Sequence, residues 1–319
     1  MPLTGCFLDT GTLPGALDWA GLTASLDNWH WHHNTAPDDL AARLSDVDVA
    51  VTNKIVLDAN TLAAAPHLKL VGIAATGINN IDKTAARQHG IDVVNVTNYA
   101  TESVCQQVFA FILARASRVT DYDQLVKTGG WTESEFFCRM AYPVEQIADQ
   151  TLVIVGGGDI GNAVAAAGRG FGMRVVFAER PGADTVRADR LAFNEALAEA
   201  DALSLHCPLT DATRDLIDAD ALARMKSTAM VIDTARGGLI NASALANALR
   251  AGEIGSAAID VLDAEPPPAT HPLLAGDIPN LTINPHVGWA SQTARQRVLD
   301  QLTAKITAFT HGESLTTVN

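Results

Sequence analysis

Short runs of apolar, often β-branched residues alternate with helix-like stretches along the whole chain. In the first third the predicted strands cover residues 6–9, 48–53, 68–76 and 92–96. In the remainder they cover residues 151–156, 174–179, 202–207, 229–234, 256–261 and 281–285. Most of these runs are apolar throughout, which is typical of parallel strands that are buried on both faces. The pattern therefore predicts an α/β protein in which a doubly wound parallel sheet occurs twice.

The boundary between the two predicted domains lies near residue 100, where a long helix is predicted over residues 102–119. A second long helix, predicted over residues 291–312, closes the chain. We expect this tail to pack back on the first domain, which would make that domain discontinuous. The predicted domains are therefore residues 1–100 with 289–319, and residues 101–288.

Composition and charge narrow the classes of partner and compartment. The chain is 48% hydrophobic and 18% charged, as expected of a globular protein with a large core, and its formal net charge of −14 disfavours nucleic acid and anionic membranes. Its four cysteines form no CxxC pair and no disulfide framework, which indicates a reducing compartment. The first residues show no secretory pattern, and the longest apolar run, residues 108–114, is too short to span a membrane. We expect a cytoplasmic protein.

A glycine-rich turn, Gly156-x-Gly158-x-x-Gly161, follows a predicted strand and opens a predicted helix. In that context the first glycine permits a tight turn, the second lets the backbone approach a pyrophosphate, and the third lets helix and strand pack closely. Glu179 ends the next predicted strand, where an acid can accept hydrogen bonds from the adenine ribose. These features predict a bound dinucleotide. Glu179 favours NAD over NADP because it repels a 2′-phosphate, although the adjacent Arg180 could partly offset that repulsion.

Three candidate chemical groups each follow a predicted strand: Arg236, Glu265 and His286. Ligands of open α/β sheets bind beyond the carboxyl ends of the strands, so these side chains could converge. Reduction of a 2-keto acid needs a proton donor, a carboxylate to hold that donor and a cation for the substrate carboxylate, and His, Glu and Arg suit these tasks. Taken singly, each residue could also be structural: a strand cap, a solvated loop acid and a loop histidine.

The chain resembles the D-specific 2-hydroxyacid dehydrogenases, most closely the glycerate dehydrogenase/hydroxypyruvate reductase branch. The resemblance extends over nearly the whole chain, and the Trp289-Ala290 pair that follows His286 is similar to that branch in particular. The blocks that carry it are TNKIVLD, GIAATGINNIDKTAARQHGIDVVNV, YATESVCQQVFAFILA, HCPLTDATRDLID, DTARGGLIN, DVLDAEPPP and NPHVGWAS.

The resemblance implies a flavodoxin-like substrate domain and a Rossmann NAD-binding domain with a cleft between them. It implies that His286 is the acid/base, Glu265 its carboxylate partner and Arg236 the substrate-binding arginine. Substrate contacts are implied for Lys54, Ala75, Thr76, Gly77 and Trp289. Besides the glycines, Glu179 and Arg180, cofactor contacts are implied for Thr101, Asp159, Ile160, His206, Cys207, Pro208, Thr213, Thr234, Ala235 and Asp260.

The expected reaction is NAD(H)-dependent reduction of hydroxypyruvate or glyoxylate to the D-2-hydroxy acid, with NADP possible as cofactor. The family also implies a homodimer formed through the NAD-binding domain, for which the aromatic segment 131–143 is a candidate interface. Alternatives are another keto acid, including a lactate-like or bulkier one, and a non-catalytic NAD(H)-sensing protein. Formate is disfavoured, since branches that oxidise it usually pair the histidine with Gln.

Two further features concern a possible metal site and the direction of the His286 ring. His30 and His32 could share one face of a strand and chelate a metal, but a surface strand without metal is the better prediction. The proline before His286 is expected to fix the exit of the chain and thus the direction of the ring.

Overall fold

The structure is a computed structural model, and it describes residues 2–319. The chain divides into two compact units: the chain up to Ala100 together with Ala290–Asn319, and Thr101–Trp289. The boundary falls after Trp289, one residue later than predicted. Each unit contains one sheet and its own core.

All strands pair in parallel, which confirms the predicted class of two doubly wound α/β domains. The first unit has a five-stranded sheet of order β2-β1-β3-β4-β5, and the second a seven-stranded sheet of order β12-β11-β10-β9-β6-β7-β8. The strands are β1 Thr4–Phe7, β2 Asn28–Trp31, β3 Val49–Thr52, β4 Leu70–Ile73, β5 Asp92–Asn95, β6 Thr151–Val155, β7 Arg174–Ala178, β8 Arg190–Leu191, β9 Ala202–Leu205, β10 Met230–Asp233, β11 Ser256–Ile259 and β12 Leu281–Ile283.

Helices connect successive strands and cover the sheets. The α-helices are α1 Ala20–Ala24, α2 Leu40–Leu44, α3 Ala59–Ala63, α4 Lys83–Gln88, α5 Thr101–Ser117, α6 Val119–Lys127, α7 Asp159–Gly170, α8 Phe193–Glu199, α9 Ala219–Ala223, α10 Ala242–Ala251 and α11 Gln292–Thr310. Short 3-10 helices lie at Thr10–Thr12, Pro37–Asp39, Gly237–Leu239 and Pro272–Leu274. Within residues 2–319, no helix combines the length and apolarity that a membrane crossing requires.

The central strands are buried along their whole length, which explains why they read as continuous apolar runs. Every residue of β3, β4, β6, β9, β10 and β11 is buried. Several helices begin where an aspartate accepts a backbone amide, as Asp58 does from Thr61 and Asp82 from Ala85. Apolar strands and capped helices together define the layers of both units.

The C-terminal helix α11 belongs to the first unit, as its predicted packing requires. The Ser291 side chain caps the start of α11 by accepting the amide of Ala294. Helix α11 packs against α1. Gln301 exchanges two hydrogen bonds with the backbone of Thr97. Beyond the helix, Val318 donates its amide to the carbonyl of Val93 at 2.9 Å, so the chain end lies along β5.

Two expectations about local structure require correction. The helix predicted over residues 102–119 is broken, because Arg118 adopts a left-handed conformation with φ of 53° and α6 starts anew after it. The strands also end earlier than predicted, since their last predicted residues belong to loops at the carboxyl edge.

His30 lies on β2, an edge strand of the first sheet, and His32 follows that strand. Among residues 2–319 no group of three or more His, Cys, Asp or Glu side chains is arranged to hold a metal ion.

Candidate active site

The glycine turn has the geometry that a dinucleotide needs. Gly156 has φ of +110°, and a Cβ there would lie 2.4 Å from the carbonyl oxygen of His206. A Cβ on Gly161 would lie 2.0 Å from the carbonyl oxygen of Gly156, so only glycine fits either position. Around Gly158 there is open space, and no side chain caps the amides at the start of α7. A Cβ at residue 158 would project into this space, which is where a pyrophosphate approaches the helix N-terminus.

Residues from the neighbouring strand complete this part of the second unit. β9 pairs with β6 at the point where the strand order reverses, and residues 206–208 follow β9. Ser204 Oγ lies 2.8 Å from His206 Nε2, and desolvation of the ring lowers the pKa of His206 to about 4. Thr213 Oγ1 donates to the carbonyl of Pro208 at 2.8 Å and steadies the loop. Of these predicted cofactor residues, His206 and Cys207 lie against Gly156, and Asp159 and Ile160 form part of the first turn of α7.

Cys207 lies in the same loop but is not set up as a nucleophile. Burial raises the pKa of its thiol to about 11, so the thiolate is scarce at neutral pH.

Glu179, the predicted ribose acceptor, is already engaged within its own unit. It follows β7 and is 4% exposed. Arg187 donates Nε to Oε2 and Nη2 to Oε1 of Glu179, each at 2.6 Å. Both carboxylate oxygens therefore have a guanidinium partner. The sequence analysis had predicted Glu179 as an acceptor for the ribose and had not considered Arg187.

His286 and Glu265 form a direct hydrogen bond. Nδ1 of His286 lies 2.6 Å from Oε2 of Glu265. The other carboxylate oxygen, Oε1, accepts the amide of Leu262 at 2.9 Å, which fixes the Glu265 side chain. Trp289 donates its indole N–H to the carbonyl of His286 at 3.0 Å. With Nδ1 engaged by the carboxylate, Nε2 is the ring nitrogen left to exchange a proton with a substrate.

Asp260 holds the backbone that carries His286. It is 2% exposed and follows β11. Its Oδ1 accepts the amide of Val287 at 2.9 Å and its Oδ2 that of Gly288 at 2.8 Å. The amide of His286 donates to the Asp260 carbonyl at 2.8 Å, and His286 adopts φ of 55°. These contacts with Asp260 fix the backbone that carries the ring.

Arg236 lies at the end of β10, next to β11 in the sheet. Oδ1 of Asp233 accepts the amides of Ala235 at 2.8 Å and of Arg236 at 3.3 Å, which fixes the turn. The exposed Arg236 side chain donates Nη1 to the carbonyl of Ala235 at 2.6 Å. Among residues 2–319 no hydrogen bond joins Arg236 to Glu265 or His286.

The backbone nevertheless links the arginine turn to the carboxylate. A Cβ on Gly237 would lie 1.9 Å from the carbonyl carbon of Leu262, so the two chain segments touch. The amide of Leu262 binds Glu265, and Glu265 binds His286. Arg236, Glu265 and His286 thus follow the adjacent strands β10, β11 and β12 and are joined through short contacts. Sequence reasoning missed Gly237 and Asp233, whose signals were a glycine directly after the arginine and an acid ending a buried strand.

In the first unit the predicted substrate residues lie in two loops at the carboxyl edge of the sheet. Lys54 follows β3, and its amide donates to Oδ2 of Asp9 at 2.7 Å. Asp9, 1% exposed, also accepts the amide of Asn53 at 2.9 Å. Ala75, Thr76 and Gly77 follow β4, the neighbour of β3, and the Thr76 carbonyl accepts Nδ2 of Asn95 at 2.8 Å. Sequence reasoning missed Asp9, which holds the Lys54 loop.

The remaining predicted positions belong to the second unit. Thr101 is the first residue of α5, and Thr234 lies in the turn between Asp233 and Arg236. Thr234 Oγ1 and Oδ2 of Asp233 are buried and have no hydrogen-bond partner among residues 2–319.

Comparison with known proteins agrees with this geometry. Residues 109–288 match the model of the D-isomer specific 2-hydroxyacid dehydrogenase, NAD binding domain. The chain is 38% identical over 305 residues to glycerate dehydrogenase of Methylorubrum extorquens, covering 93% of this chain and 96% of that protein. It is 30% identical over 311 residues to hydroxypyruvate reductase of Blautia hydrogenotrophica, covering 96% of each.

Among solved structures, the TT0316 protein of Thermus thermophilus is similar over 99% of both chains, with a TM-score of 0.85 and 31% identity. The chain therefore belongs to the D-isomer specific 2-hydroxyacid dehydrogenase family, and it is an NAD(P)-dependent oxidoreductase of that family. The predicted family and the predicted dinucleotide class are confirmed.

Asp233 makes the stability of the second unit depend on pH. Its burial raises the pKa of the carboxyl to about 8, against 3.8 for an exposed aspartate. Between these values the folded chain holds a proton that the unfolded chain releases, so stability falls as pH rises, by about 1.4 kcal/mol per pH unit for one proton. We expect Asp233→Asn to remove this dependence and to stabilise the protein more at pH 8 than at pH 5.

Denaturant unfolding of the wild type and of Asp233→Asn at intervals from pH 5 to pH 8 measures this effect. The exposed Asp211 is the matched control, because Asp211→Asn should leave the pH dependence as in the wild type. Parallel curves for Asp233→Asn and the wild type would contradict the assignment.

Proposed function

We propose that this enzyme reduces a small 2-keto acid, hydroxypyruvate or glyoxylate, to the corresponding D-2-hydroxy acid, D-glycerate or glycolate. The observation that carries the proposal is the 2.6 Å contact of His286 with Glu265, held at the strand end next to Arg236. The relatives named glycerate dehydrogenase and hydroxypyruvate reductase support this substrate class, since glycerate and hydroxypyruvate are the two sides of one such reaction.

His286 is proposed to donate a proton from Nε2 to the carbonyl oxygen of the substrate. Glu265 stabilises the positive charge of the imidazolium before the transfer and keeps the ring in one orientation through Nδ1. When bound, NAD(P)H supplies the hydride that C2 of the keto acid receives. In the reverse direction, neutral His286 takes the hydroxyl proton.

Arg236 is proposed to bind the substrate carboxylate. Its guanidinium is exposed, and within residues 2–319 only its Nη1 forms a hydrogen bond, to the Ala235 carbonyl, so two parallel donors suited to a carboxylate remain. For the first unit, substrate contacts are proposed for Lys54 and for the amides of Ala75, Thr76 and Gly77. Trp289 is proposed to limit the size of the substrate side chain.

Replacement of His286 tests the proton-transfer role. We expect His286→Ala to lower kcat for hydroxypyruvate by about 10²–10⁴-fold, because a positioned general acid contributes that much. The dissociation constant for NADH should change by less than about twofold, since the glycine turn is untouched. Steady-state kinetics and fluorescence titration with NADH measure the two effects.

His311 is a matched control, because it is another histidine near an acid, with Nδ1 3.8 Å from Glu313 Oε1 on the exposed end of α11. His311→Ala should retain wild-type kcat. An active His286→Ala enzyme would refute the proposed mechanism.

A substrate panel distinguishes the keto acids. We expect kcat/KM for hydroxypyruvate or glyoxylate to exceed that for bulkier 2-keto acids by at least about tenfold, the selectivity that a small pocket can supply. A preference for a bulky acid would assign another specificity. Binding of the dinucleotide without turnover of any acid in the panel would favour the alternative of a non-catalytic sensor.

We further propose a homodimer that forms through the second unit. Within segment 131–143, Trp131, Phe136, Phe137 and Met140 are 51%, 73%, 91% and 87% exposed. Such a concentration of large exposed apolar side chains is unusual on a monomer surface and typical of an interface.

Analytical ultracentrifugation tests this assembly. Phe137→Glu should shift the enzyme from dimer to monomer, because it places a charge in the apolar contact. Val56→Glu in the first unit, where Val56 is 62% exposed, should remain dimeric. A monomeric wild type, or a dimeric Phe137→Glu variant, would contradict the proposal.

We also propose a reducing, cytoplasmic location. All four cysteines, Cys6, Cys105, Cys138 and Cys207, are free, which suits a compartment in which thiols stay reduced.

A further inference from the structure

The carboxylate at the end of β7 is fully occupied by the chain itself. Besides the two hydrogen bonds from the Arg187 side chain, Oε1 of Glu179 accepts the amide of Arg180 at 2.9 Å and Oε2 accepts the amide of Arg187 at 3.5 Å. These donors keep Glu179 ionised and lower its pKa to about 2. Ribose hydroxyls would therefore have to displace a bidentate guanidinium before Glu179 could accept them.

Three arginines surround this strand end. Arg187 is paired with Glu179 but its side chain is 54% exposed, and its Nη1 makes no hydrogen bond among residues 2–319. The Arg180 side chain is exposed. Arg190 lies over the ring of Phe177 at 5.5 Å, and its Nη2 would be 2.9 Å from a Cβ on Gly157. The guanidinium of Arg190 therefore lies against the glycine turn that receives the pyrophosphate.

The net charge at the end of β7 differs from that of an unpaired glutamate. A lone carboxylate at this point repels a 2′-phosphate, whereas the Glu179–Arg187 pair is neutral as a unit. Arg180 and Arg190 then add positive charge. Asp184 and Asp189 lie in the same loop. Asp189 interacts electrostatically with Arg187, but among residues 2–319 neither aspartate forms an ion pair with the three arginines.

We propose that Arg187 is a specificity-determining residue that neutralises Glu179 and donates to the 2′-phosphate of NADPH. The enzyme accordingly binds NADPH at least as tightly as NADH, which replaces the preference for NAD that the sequence indicated. This inference rests on NAD(P) binding by the second unit, not on which keto acid is reduced. Guanidinium donors suit this phosphate because they form paired, charge-assisted hydrogen bonds.

Binding measurements without substrate test the proposal. Isothermal titration of the full-length wild type with NADPH, NADH, 2′,5′-ADP and 5′-AMP should show NADPH and 2′,5′-ADP bound at least as tightly as their unphosphorylated counterparts. Arg187→Gln should weaken NADPH and 2′,5′-ADP by about tenfold or more, the effect of a lost charged hydrogen bond. It should leave NADH unchanged or tighter, because Glu179 becomes available to the ribose.

Two further variants sharpen the result. Arg174 lies at the opposite end of β7 and pairs with Glu199, so Arg174→Gln removes an arginine–glutamate pair from the same strand and should alter neither affinity. Glu179→Gln should strengthen NADPH binding relative to NADH, because Arg187 is released for the phosphate.

The outcomes separate this proposal from the proposed function. NADH bound tenfold more tightly than NADPH by the wild type, or Arg187→Gln behaving like Arg174→Gln, would overturn the inference, as would failure of both dinucleotides to bind. The expected pattern of affinities without reduction of any keto acid would support it while refuting the proposed reaction.

Discussion

The hydrogen bonds accepted by the buried carboxylate of Asp260 are the contacts on which the position of His286 depends. By accepting two consecutive amides, those of Val287 and Gly288, it turns the chain directly after His286. This turn stabilises the positive φ of His286, a conformation that costs a non-glycine residue free energy unless neighbouring contacts hold it. The imidazole then lies within hydrogen-bond distance of Glu265.

Close backbone contacts at the carboxyl edge of the second sheet extend this constraint. Gly237 touches the backbone of Leu262, and the Leu262 amide orients Glu265. The arginine turn, the carboxylate and the histidine are therefore positioned by one another over three adjacent strands. At the strand-order reversal, Gly156 and Gly161 allow equally close contacts. The glycine turn and the His286–Glu265 pair thus belong to one sheet edge, which is where parallel α/β sheets bind ligands.

The sequence allowed the fold and the principal chemical groups to be predicted for physical reasons. Central strands are buried on both faces, so their apolar runs are visible without a structure. The glycine turn was recognisable because each glycine meets a separate steric need. The break at Arg118 was not predictable, because a left-handed arginine depends on the surrounding chain and not on its own preference. The supporting acids Asp9, Asp233 and Asp260 were missed or given other roles, since hydrogen bonds to distant amides leave no periodic pattern.

By itself, then, the sequence determined the layered parallel architecture and the glycine turn, because burial and local sterics restrict which residues can occupy such positions. The roles predicted for Arg236, Glu265 and His286 rested on their positions after predicted strands and on the family resemblance. Only the tertiary structure decided what each polar side chain contacts. Glu179 shows this most clearly: its position at the end of β7 is local, but its pairing with Arg187 depends on how the following loop folds back over the strand. A free carboxylate repels a phosphate, whereas a carboxylate paired with a guanidinium is neutralised. Which charges are paired depends on three-dimensional proximity.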